Sequence, residues 1–160
     1  MRSTARRFEQ GYSFVELLIV TTIVLILASA IQPLARVAIQ RQKESDLRRD
    51  LRDLREAIDG YYELAAAGQL PATELKPGNE GYPPDLETLV EGVSINNDAS
   101  GRKVKFLRRI PIDPMTGEAK WELRSYQDKP DATRWGGQNV FDVRSASGGT
   151  ALDGTKYSDW

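Results

Sequence analysis

The chain has 160 residues, with 22 Lys and Arg against 23 Asp and Glu, and neither His nor Cys. That length holds one modest domain beside a membrane segment, not two well-cored domains. Lacking thiolate and imidazole, it has no disulfide framework, no Cys or His ligand for zinc or haem and no imidazole-based triad, and a net charge of −1 gives no basic field to attract nucleic acid.

The first eleven residues are locally basic, with Arg2, Arg6 and Arg7 against Glu9. Glu16 then heads a run, Leu17 to Ala35, that contains no charge. Residues 12–35 as a helix span roughly 36 Å, enough to cross a hydrocarbon core of about 30 Å with some tilt. The flanking arginines orient the N-terminus toward the cytoplasm and the remaining chain outside. An ionisable group in such a segment is costly and calls for a partner. A cut after Gly11 supplies one: the new α-amine stands four residues before Glu16, and in a packed array the amine of one copy neutralises the carboxylate of the next.

The same segment also fits a secretory signal peptide, with a basic n-region, an apolar core from Leu17 to Leu27 and the triplet Ala28-Ser29-Ala30 as a cleavage site after Ala30. Arg6-Arg7 even forms a weak twin-arginine feature. On that reading the product is a soluble secreted binding protein or enzyme.

The helical period continues past Pro33, where a kink or local unwinding is expected. Leu47, Leu51, Leu54, Ile58 and Tyr61 draw one apolar stripe that needs a cover. Glu44 with Arg48, Arg49 with Asp53, and Arg52 with Glu56 stand at i,i+4 and suit intrahelical pairing. One rod from about Tyr12 to Leu64 is expected. Its stripe is set to pack against the chain's own sheet, and the charges between Arg36 and Glu56 form a solvated face that parallel copies could also pair between neighbours.

A Pro- and Gly-rich loop, residues 68–81, precedes a short helix around Pro83-Pro84-Asp85-Leu86-Glu87-Thr88-Leu89-Val90, closed by Gly92. Residues 96–101 form another turn-rich loop, and Asp113-Pro114-Met115-Thr116-Gly117 a turn. Trp121, Leu123 and Ser125 alternate with polar neighbours as a strand, and Val140, Phe141 and Val143 mark a second. A long helix followed by short strands indicates an α+β fold with a small antiparallel sheet on the rod. Trp135-Gly136-Gly137 reads either as a stacking surface or, more simply, as hydrophobic cover.

The tail from Ser145 is rich in Gly, Ser, Thr and Asp. Asp142, Asp153 and Asp159 are candidate hard-oxygen ligands suited to calcium, although Asp in such loops more often serves turns. No clustered base and nucleophile, phosphate loop or zinc spacing points to an enzyme.

Gly11-Tyr12-Ser13-Phe14-Val15-Glu16-Leu17-Leu18-Ile19-Val20 closely resembles the cleavage and methylation motif of type IV pilins and type II secretion pseudopilins. The resemblance implies a leader at residues 1–11, cut after Gly11 by a prepilin peptidase with methylation of the Tyr12 amine. Glu16 stands at the family's glutamate and Pro33 at its proline, while Tyr12 replaces the usual Phe. Residues 12–35 then form the transmembrane and assembly half of the helix, and residues 36–160 the periplasmic pilin-like head.

Tyr82 to Val90, Ile110-Pro111-Ile112-Asp113-Pro114-Met115-Thr116-Gly117 and Phe141-Asp142-Val143-Arg144-Ser145 look like the major, G-type pseudopilin, as does the absence of Cys. The implied function is a non-enzymatic subunit of an inner-membrane-anchored helical filament, partnered by copies of itself, by minor pseudopilins and by an inner-membrane assembly platform. A type IV pilin or a minor pseudopilin is the neighbouring alternative. The C-terminal loop of the G-type family binds calcium, which implies the same for Asp142, Asp153 and Asp159, although the loop spacing differs here.

Overall fold

The computed structural model describes residues 13–96 and 101–160. The elements, in order, are α1 (Phe14–Ala66), α2 (Leu86–Glu91), β1 (Trp121–Arg124), β2 (Asp142–Ser145) and a 3-10 turn (Tyr157–Asp159). The fold is α+β, a long N-terminal helix with a small antiparallel sheet. Two compact units divide at Ile39 and Gln40, within α1.

In the first unit α1 presents exposed apolar side chains on every face from Phe14 to Leu27. Its hydroxyls are satisfied locally: Thr21 and Thr22 donate to the carbonyls of Leu17 and Leu18, and Ser29 to that of Ile26. By length and composition this helix is able to cross a membrane. Helical backbone runs through position 33, so of the kink or local unwinding expected there the unwinding does not occur; the Pro33 side chain lies outside the described residues.

The second unit is built on the apolar stripe. Leu47, Leu51, Leu54, Ile58 and Tyr61 are all buried, in one cluster with Leu89, Val93, Trp121, Val140, Val143 and Tyr157. Helix α1 ends in a Schellman arrangement, with Gly68 at φ 68° donating to Ala65 O and Gln69 N donating to Leu64 O. Asp85 caps α2 by accepting from Thr88 N at 2.8 Å. Gly92 ends it at φ 81°, where a Cβ would lie 2.6 Å from Val104 O. Only glycine lets Val93 exchange both backbone hydrogen bonds with Val104 there, at 2.9 Å each.

Strands β1 and β2 pair antiparallel, with Trp121 opposite Ser145 and Arg124 opposite Asp142. The sheet is shorter than the sequence alternation implies, and Phe141 belongs to the approach to β2, its amide bonded to Arg124 O. Two strands hold no stable sheet alone, so Trp121, Val140 and Val143 depend on α1 for cover.

The Asp113 turn is fixed from inside. Its buried carboxylate accepts from Met115 N at 2.8 Å and from Ser145 Oγ at 2.6 Å, tying the turn to β2. Asp113→Ala leaves the buried Ser145 hydroxyl and the part-buried Met115 amide without this acceptor and is expected to lower unfolding free energy by about 1–3 kcal/mol. A shift in urea midpoint with unchanged slope checks it; a wild-type midpoint would show the turn does not depend on this carboxylate.

Candidate functional site

Glu16 sits in the first turn of α1, exposed among Val15, Leu17, Leu18 and Ile19. Its neighbours Thr21 and Thr22 fold their hydroxyls onto the helix backbone, whereas no described residue gives Glu16 a hydrogen bond or ion pair. It is a carboxylate on an apolar helix with its acceptor capacity unspent. Gly11 and Tyr12, the expected cleavage and methylation positions, lie outside the described residues.

Further along α1 the intrahelical i,i+4 ion pairs expected from the sequence are not formed. The C-terminal tail claims Glu44 and Arg48 instead. Glu44 accepts from Leu152 N at 2.9 Å, from the Tyr157 hydroxyl at 3.0 Å and from Gln40 Nε2 at 3.2 Å. Arg48 reaches Asp153 at 3.4 Å and lies over the Trp160 ring at 4.1 Å. Arg55 donates to Asp142 at 2.8 Å and to the carbonyls of Val143 and Trp160 at 3.1 and 2.9 Å. Arg49 turns back to Asp46 at 2.7 Å. An exposed i,i+4 pair contributes only about 0.2–0.5 kcal/mol, so the tail's hydrogen bonds to Glu44 outweigh its pairing with Arg48.

These tail contacts decide the aspartates. Asp142 is committed to Arg55 and to its neighbour's amide, Val143 N, at 2.9 Å. Asp153 accepts from the Thr155 hydroxyl at 2.6 Å and amide at 2.9 Å, which hold its carboxyl below the usual value. Asp159 accepts from Ser158 Oγ at 3.2 Å. Among the described residues no group of three or more acidic side chains is placed to hold a metal ion. Asp142, Asp153 and Asp159 do not form one such three-carboxylate group: Asp142 serves Arg55, and Asp153 closes a turn beside Arg48.

The head also carries an aromatic cluster that the sequence did not announce. Tyr82 stacks on Tyr62 at 4.6 Å and on Tyr126 at 5.8 Å, and Phe141 meets Tyr82 edge-on at 5.1 Å. Trp135 stands apart from these rings, donating to Asn139 O at 2.8 Å. No periodic signal marks the cluster, because its members come from four separate segments.

Comparison with family models, with characterised proteins and with solved structures finds no match to this chain.

Proposed function

We propose that the chain is a non-enzymatic structural subunit of a type II secretion pseudopilus. It is held in the inner membrane by residues 12–35 with its head in the periplasm, trimmed after Gly11 on the cytoplasmic side and methylated at Tyr12. An inner-membrane assembly platform then draws it into a helical filament with copies of itself and with minor pseudopilins. The observation that carries the reading is Glu16, a carboxylate with no described partner on an otherwise uncharged and exposed apolar helix.

The physical logic is an exchange of environments. Apolar side chains leaving lipid meet those of neighbouring helices, and the Glu16 carboxylate leaves a costly position beside lipid for the amine of an adjacent copy. The resemblance of residues 11–20 to the prepilin motif supports the same reading, as does the continuation of α1 beyond Ala30, where a signal peptide would end. The intact mass of the mature chain tests it. A product beginning at methylated Tyr12 is expected; one beginning at Ile31 would replace the filament with a secreted soluble protein.

A further inference from the structure

Beside the two-stranded sheet lies a cavity of about 240 Å³, walled by Trp121, Glu122 and Leu123 of β1, Arg144 of β2, and Thr133 and Trp135 of the loop between the strands. It is smaller than the roughly 300–1,000 Å³ of sites for drug-sized ligands, and suits a single ring.

Its walls are set in advance. Trp121 and Trp135 each spend the indole N–H on a backbone carbonyl, Pro111 O at 3.0 Å and Asn139 O at 2.8 Å, which leaves only ring surface to offer. The loop carrying Trp135 is pinned by Asp128, whose carboxylate accepts from Ser125 N at 2.8 Å and from Gly136 N at 3.1 Å. A Cβ on Gly136 would lie 2.5 Å from that carboxylate, so the residue after Trp135 has no room for a side chain. A ring serving only to cover the core would be buried, yet Trp135 is 40% exposed.

The charges of the cavity balance. Glu122 and Arg144 stand opposite each other and pair at 2.9 Å, and Arg144 also donates to Ala132 O at 3.3 Å. Oε1 of Glu122 and the remaining guanidinium N–H groups have no hydrogen bond among the described residues. Acceptor and donors therefore lie side by side between aromatic walls, with no net charge. A charged ligand gains little from a neutral pair, and a purely apolar ring leaves the polar groups unsatisfied. A ring with an apolar C–H face and hydroxyls at its edge suits both, its face lying on indole and adjacent hydroxyls bridging carboxylate and guanidinium.

We propose that this slot binds one pyranose ring of a neutral saccharide, with Trp135 as the stacking surface and Glu122 and Arg144 as the hydroxyl partners. The site does not depend on the filament reading.

The test titrates the full chain, in a detergent without a sugar headgroup, with cellotriose, chitotriose and mannotriose, followed by saturation-transfer NMR. At least one is expected to bind with a dissociation constant of roughly 1–10 mM, as befits a shallow one-ring site. Trp135→Ala is expected to weaken that binding about tenfold, Trp135→Phe to recover part of it, and Glu122→Gln to weaken it about fivefold, each variant keeping the circular dichroism of the unaltered chain. No binding of any of the three below about 50 mM overturns the proposal, as does binding that Trp135→Ala and Glu122→Gln both leave unchanged. Saturation by N-acetylarginine amide and not by the saccharides would make the slot a socket for a cationic side chain, and overturns it too.

Discussion

Replacing Glu16 by Ala is expected to stop filament growth while leaving membrane insertion intact. Removing a carboxylate makes the segment more apolar, so nothing in its insertion is impaired. In the proposed filament the same change strands the amine of every adjacent copy in a low-dielectric contact. Losing one partner of a buried ion pair costs about 3–5 kcal/mol, which weakens subunit association at least about a hundredfold per contact. Glu16→Gln, which keeps the shape and loses the charge, should behave nearly as badly. Carbonate-resistant membrane fractionation reads insertion, and sedimentation of sheared filaments reads growth. Filaments of normal yield from both variants would remove the amine pairing from the mechanism.

Two identical substitutions on one helix are expected to differ widely. Leu54 is 0% exposed within the core and Leu17 is 58% exposed. Leu54→Ala should lower the unfolding free energy of the detergent-solubilised chain by about 2–5 kcal/mol, the sum of lost transfer energy and an unfilled cavity beneath the sheet. Leu17→Ala opens no cavity in the isolated chain and should stay within about 0.5 kcal/mol. Tryptophan fluorescence during urea unfolding follows both, since Trp121 lies in the same core as Leu54. Equal losses at the two positions would mean that the apolar stripe is not what holds the head together.

Much of this architecture was legible because it is written locally. The 4, 3, 4, 3 spacing from Leu47 to Tyr61 marks a buried helix face, and each of those residues is buried. Asp85 and Gly92 bracket α2 because a side-chain acceptor suits a helix start and a positive φ suits its end. The Trp121 alternation located β1, although the ladder stops at Arg124 where the chain turns to let Asp128 bind the Ser125 amide. At the candidate assembly site, Glu16 was conspicuous by charge alone.

What the sequence determined by itself is the long amphipathic and apolar helix, the identity of its buried stripe, and the position of a single acid in an uncharged run. These follow from period and composition, which local backbone geometry converts directly into faces. Tertiary structure alone decided the partners of the charges. Glu44 bonds to Tyr157 rather than pairing with Arg48, and Asp142 answers Arg55 across 87 residues. A carboxylate held by a guanidinium and one left open to a cation have the same letter in a sequence. Only the path of the tail along α1 distinguishes them, because the energy of a charge depends on what the fold places within hydrogen-bonding reach.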